Sequence, residues 1–150
     1  ALCRATYQAL LRGIAPAVAG QRVGDVSHAV QSHCESRGFS VVRDLVGHGI
    51  GRSLHEDPQV PNFGDPGQGR LLKPGLSICI EPMINRGAPQ VTTDADGWTV
   101  RASDGLPSAH YEHMVVVRDG EAEVLSDFGY IEDVIQPPYE IDALKETTTP

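Results

Sequence analysis

A histidine between two glycines, Gly47-His48-Gly49, and two glutamates embedded in apolar runs are the residues of this sequence whose types point to chemistry. The glutamates are Glu81, in Ser77-Ile78-Cys79-Ile80-Glu81-Pro82-Met83, and Glu112, in Ala109-His110-Tyr111-Glu112-His113-Met114-Val115-Val116-Val117. An acid in so apolar a run is expensive to bury unless it is paired or bound to a metal. One imidazole and two carboxylates make a hard, mixed nitrogen and oxygen donor set, suited to divalent ions such as Mn, Fe, Co or Zn. The chemistry of such a set is metal-assisted hydrolysis.

The elements around these residues must aim them. The glycines flanking His48 leave its imidazole uncrowded and allow backbone conformations closed to other residues, which suits a ligand on a tight loop. Alternation over 77–83 predicts a strand with Ile78 and Ile80 on one face and Cys79, Glu81 and Met83 on the other. Pro82 cannot donate to a ladder and marks the end or an edge of that strand. The run 109–117 predicts a second strand leading into a turn at Arg118-Asp119-Gly120, with His110, Glu112, Met114 and Val116 on one face. Glu112 is then the candidate ligand, His113 a supporting or structural residue, and His110 a hydrogen-bonded residue near the strand start. Cys3, Cys34 and Cys79 are odd in number and lack CxxC spacing, so they are expected as free or buried thiols outside the donor set.

Three segments in this order, Gly47-His48-Gly49-Ile50-Gly51-Arg52-Ser53-Leu54-His55-Glu56-Asp57-Pro58, Ile80-Glu81-Pro82-Met83 and Tyr111-Glu112-His113, with Asp96-Gly97-Trp98-Thr99-Val100 between the last two, resemble the C-terminal half of the type I methionine aminopeptidases. The resemblance covers residues 2–126 and implies an α+β chain: the C-terminal half of a pita-bread fold, with two helices packed on a curved antiparallel sheet. It implies His48, Glu81 and Glu112 as metal ligands, with Glu112 bridging two divalent ions (Co, Mn, Fe or Zn in the complete enzyme). It further implies Glu81 as the group that carries a proton, His55 as a catalytic and substrate-contacting histidine, and Trp98 as a residue of the methionine side-chain pocket. The activity implied is removal of the initiator methionine from nascent polypeptides, whose N-terminal methionine is the partner.

Details within the motifs favour this family over its relatives. Met83 follows Glu81-Pro82 where aminopeptidase P and prolidase usually have glycine, and Gly49 stands where type II enzymes usually have serine. Leu54 stands where phenylalanine is common, and Met114 where threonine is usual. The alternatives are a non-catalytic peptide-binding module of the same fold, which would have no need of an intact ligand set, and another metallopeptidase such as an Xaa-Pro aminopeptidase.

The resemblance also implies an N-terminal half with two aspartate ligands and another histidine, and the sequence begins at Ala1 within a predicted helix. Asp25 and Asp44 do not substitute for the missing aspartates. Two glutamates offset about half the charge of two divalent ions, so the chain alone is expected to bind at most one ion, weakly, and to be inactive without that half, its principal partner.

The remaining elements are expected as a helix over 2–12 ended by Gly13 and Pro16, and a second helix capped by Asp25, with Val26, Val30 and Cys34 at helical spacing and a stop at Gly38. A strand is expected from Phe39, a loop over 59–70, a turn at Leu72-Lys73-Pro74-Gly75, and strands around Trp98 and at Glu123-Val124-Leu125. Residues 1–126 form the catalytic half-domain in this scheme, and 127–150 an acidic, loosely packed tail. With 150 residues and 40% hydrophobic content the chain can build one core. A net charge of −8 disfavours nucleic acid as a partner, and no apolar run suits a bilayer, so no membrane partner and a cytoplasmic location are expected.

Overall fold

Small and apolar residues on one side of each helix decide how the helices dock. On α1 (Leu2–Ile14) the buried positions include Ala5, Ala9, Leu10 and Gly13, and on α2 (Val23–Glu35) Val23, Val26, Val30 and Cys34. Gly13 does not end α1 as its type suggested. It is a contact residue, where a Cβ would lie 2.8 Å from Val30 Cγ2 and 3.3 Å from Ile80 Cγ2, so the helix runs past it to Ile14. Asp25 caps α2 from inside the first turn instead of opening it: its carboxylate accepts the N–H of Arg22 at 2.7 Å and that of Gly67 at 2.7 Å. Past the C-terminus Gly38 takes a φ of +77°, and the N–H of Phe39 returns to the carbonyl of Cys34.

The computed structural model describes residues 1–129 and has the expected α+β composition. Its strands are β1 (Ser40–Val41), β2 (Val46–Gly49), β3 (Glu56–Pro61), β4 (Ser77–Ile80), β5 (Met83–Asn85), β6 (Val91–Thr93), β7 (Val100–Ala102), β8 (Ser108–His110), β9 (His113–Val116) and β10 (Glu123–Val124). All pair antiparallel, in a five-stranded sheet of order β10-β9-β4-β2-β3, a three-stranded sheet of order β1-β5-β8, and the hairpin β6-β7. Leu10, Val26, Ile78, Ile80, Val115 and Val117 form one core between helices and five-stranded sheet, and Ala9, Val30, Cys34, Val41 and Ile84 a second beside it.

Several expectations are corrected. The single strand over 109–117 is two strands, β8 and β9, interrupted at Tyr111-Glu112. The loop over 59–70 begins later, because Gln59-Val60-Pro61 belongs to β3, an edge strand on which prolines forgo no ladder bond. Trp98 is in the turn between β6 and β7, not in a strand. The Gly47-His48-Gly49 motif lies in strand β2, not in a tight loop, and neither glycine has a positive φ. Its glycines serve close approach instead: a Cβ on Gly47 would press into the carbonyl oxygens of Cys79 and Val60 on the strands either side, and one on Gly49 into that of Asp57.

Of the expected tail, residues 130–150 lie outside the described residues. Phe128 packs against Tyr7, Tyr111 and His113. Among the described residues no helix is long and apolar enough to cross a membrane.

Gly47→Ala should destabilise the chain by roughly 2–4 kcal/mol in urea denaturation, since neither neighbouring backbone can retreat, whereas Gly38→Ala, at a positive φ in open space, should cost only about 1 kcal/mol. His33 is buried, and its Nε2 has no hydrogen-bond partner among the described residues. Burial foremost, then the charges of Arg37 and Arg12, lowers its pKa from the ordinary 6.5 to about 4. The unfolded chain therefore takes up a proton that the folded chain refuses, and stability should fall by on the order of 2–3 kcal/mol as the pH drops from 6.5 towards 4. Urea melts at pH 7 and 4.5 should show a smaller loss in His33→Gln.

Candidate metal centre

The two interruptions face one another. Ile80 opposite His113 is the last pair of the β4-β9 ladder, and Met83 opposite His110 is the first of the β5-β8 ladder. Glu81-Pro82 on one chain segment and Tyr111-Glu112 on the other fall between them, so both glutamates sit where the surface passes from one sheet to the next. Pro82 explains one side, because it cannot supply an N–H. On the other, Tyr111 is held by rings, 5.5 Å from Tyr7 of α1 and 6.2 Å from Phe128 between centroids.

Around this gap the carboxylates meet imidazoles. Oε1 of Glu81 lies 3.5 Å from Nε2 of His48, and its Oε2 lies 3.2 Å from Nε2 of His110. The possible ligand atoms of Glu81, His110 and Glu112 all lie within 4.8 Å of one another, as do those of His48, Cys79 and Glu112. The structure thus brings His48, Glu81 and Glu112 together, and two further residues lie beside them. His110 was expected as a hydrogen-bonded residue near the strand start; it ends β8, and its Nε2 meets the Glu81 carboxylate. Cys79 was expected outside the donor set, and its thiol lies within 4.8 Å of the ligand atoms of His48 and Glu112, because its strand position places it beside His48.

The electrostatics fit a cation. Nδ1 of His48 donates to the carbonyl of Gly49 at 2.9 Å, which leaves the lone pair of Nε2 directed at the Glu81 carboxylate. Two electron-rich atoms in that position, with a second carboxylate near, are held favourably only with a proton or a metal ion between them. Nitrogen and oxygen donors of this kind accept a divalent ion, so the residues fit one. The Cys79 thiol is pushed up to about 12 by burial, then by its hydrogen bond to Glu112 and the charges of Glu112 and Glu81. His113 points away, as its place in the strand suggested: its Nδ1 is 2.6 Å from Ser126 Oγ, its ring stacks on Phe128, and burial lowers its pKa.

His55 stands beside His48, its ring edge-on to that of His48 at 4.4 Å between centroids. The exposed loop that carries it is gathered by Glu56, whose carboxylate accepts the N–H of Ser53 at 2.7 Å. Trp98, by contrast, is 87% exposed at its hairpin tip and is not among the residues gathered at the break. The same hairpin helps form an apolar depression beside His110, lined by Leu45, Met83, Val100 and Leu106.

Sequence reasoning missed the residue that fixes the gap. Buried Asn62 donates to the carbonyls of Val42, at 3.0 Å, and Leu45, at 3.2 Å, and accepts the N–H of Met83 at 3.4 Å. It so ties β3, the end of β1 and the first residue after Pro82. An asparagine following an edge strand is an ordinary turn signal, and nothing local distinguishes it.

Residues 1–119 match the model of metallopeptidase family M24. The chain is 50% identical over 125 residues to the methionine aminopeptidase of Clostridium perfringens and 45% identical over 125 residues to methionine aminopeptidase 1 of Bacillus subtilis, in each case over 83% of this chain and 50% of the relative. It superposes on the crystal structure of methionine aminopeptidase from Thermotoga maritima with a TM-score of 0.80 at 47% identity, covering 82% of this chain and 49% of that one. The chain therefore spans about half the length of the curated relatives it matches, and the expected fold, two helices on the antiparallel sheets of a pita-bread half, stands. With the family model matched along most of its length and the donor residues gathered at one break, the chain belongs to metallopeptidase family M24.

Proposed function

We propose that this chain forms the C-terminal half of a methionine aminopeptidase that removes the N-terminal methionine from nascent polypeptides. The observation that carries the reading is the meeting of Glu81 and Glu112 with His48 at the facing strand interruptions. Names borne by relatives 45–50% identical support the same activity.

In this reading His48, Glu81 and Glu112 hold the metal, with Glu112 placed between two positions. Two divalent ions drawn from Co, Mn, Fe and Zn would supply Lewis acidity and a nucleophilic water at neutral pH. The two carboxylates neutralise one divalent ion, so the second requires acids from outside this chain, the two aspartates of the N-terminal half. Glu81, flanked by His48 and His110, takes the proton from the attacking water and passes it to the leaving amine. His55 donates a hydrogen bond to the oxygen of the scissile carbonyl as negative charge develops there. The apolar depression beside His110 and the hairpin bearing Trp98 offer the surface for a methionine side chain.

Two substitutions in the enzyme completed with its N-terminal half test these roles. Glu112→Ala should abolish dinuclear metal occupancy measured by metal analysis, and unchanged occupancy would defeat the assignment. His55→Ala should lower kcat on Met-Ala-Ser by about 10²–10³-fold with metal content near normal; loss of metal would make His55 a ligand instead. Cleavage of Xaa-Pro peptides without cleavage of Met-Ala-Ser would favour the Xaa-Pro aminopeptidase reading, and tight peptide binding with no hydrolysis of either a binding module.

A further inference from the structure

We infer that Cys79 is a metal donor, completing with His48 and Glu112 a nitrogen, sulphur and oxygen site that selects a thiophilic divalent ion such as zinc or cadmium.

Three observations carry this. In the sheet His48 pairs with Cys79 and Cys79 with Met114, so the three side chains form one row on one face, across three adjacent strands. That row is imidazole, thiol and thioether, a softer sequence of groups than the carboxylates of Glu81 and Glu112. The possible ligand atoms of His48, Cys79 and Glu112 lie within 4.8 Å of one another, and tetrahedral zinc, with bonds of about 2.3 Å to sulphur and about 2.0 Å to nitrogen, would hold those two donors roughly 3.5 Å apart, so side-chain rotations that draw the three inward bring them onto one ion. The thiol is also close to the Glu112 carboxylate, and it is 2% exposed. A packed cysteine needs no such partner, and Ile78 and Ile80 on either side fill the core from the opposite face.

Binding exchanges the thiol proton for the metal ion. The S–H bond breaks, a sulphur–metal bond forms, and the proton passes to solvent. With thiolate and Glu112 both bound, the charge of one divalent ion is offset locally, and Glu112 is also a member of the second cluster, with Glu81 and His110. The inference rests on the reading of His48 and Glu112 as metal donors and adds to it a preference: softer ions gain from Cys79, and manganese does not.

Titration of the full chain with cadmium, followed by ultraviolet absorption, tests it. A thiolate-to-cadmium band should appear with one ion per chain and persist in a Cys3→Ser/Cys34→Ala variant, where Cys79 is the sole thiol. Cys79→Ser should remove the band and weaken cadmium binding roughly tenfold or more, while manganese affinity, measured in the same protein as a control for folding, changes less than about twofold. A band that survives in Cys79→Ser overturns the inference, as does manganese binding to the wild-type chain with no sulphur band under cadmium. Binding of neither ion would instead sink the metal reading of His48 and Glu112 and this inference with it.

Discussion

Two carboxylates held within a few ångströms of each other, both at the rim of an apolar sheet, are the constraint on which this structure turns. Like charges so placed repel, and each prefers water to its surroundings. The chain sets imidazoles beside them, His48 and His110, one against each oxygen of Glu81, so that possible ligand atoms converge on a common space where a cation would offset the repulsion. The scaffold serves that arrangement. Gly47 lets β2 press against β4 so that His48 reaches the gap, and Asn62 fixes the backbone just beyond Pro82. Tyr111 is wedged against α1 and Phe128, which sets the turn that presents Glu112.

Much of this was legible in the sequence because its signals are local. The helical spacing of Val26, Val30 and Cys34 describes the buried face of α2, and Pro82 announces the end of β4. An acid beside a proline after three apolar residues is a strong hint of a functional strand end. The exclusion of His113 from the donor set was likewise accessible, since adjacent strand residues point to opposite sides.

What escaped was non-local. Tyr111-Glu112 carries no proline or glycine, so nothing in the run 109–117 marks a break; the interruption exists because β8 must follow β5 and β9 must follow β4. The positions of His110 and Cys79 beside the glutamates and His48 depend on the same register and on which strand lies alongside, and neither is encoded within a few residues of them. The glycines of the Gly47-His48-Gly49 motif show the converse case. Their importance was evident from type, but its cause, neighbouring backbones instead of unusual dihedral angles, lies on β3 and β4. The placement of Trp98 at a hairpin tip, exposed, follows from Gly97 at a φ of +71° and an aspartate that caps the turn, a local pattern that outweighed the strand propensity of its neighbours.

The facing interruptions have a further effect on how this chain tolerates change in length. Each skips two residues between ladders, and the two skips match, so the strands re-enter pairing in step. A residue deleted between Ile80 and Met83 would shift β5 against β8 by one position and turn every side chain of that strand to its other side, carrying Ile84 out of the core. A simultaneous deletion at Tyr111-Glu112 would restore the step but bring the two sheets closer. Insertions and deletions here are thus tolerated only as matched pairs, and the spacing between the sheets is a single inherited dimension shared by two segments thirty residues apart in the chain.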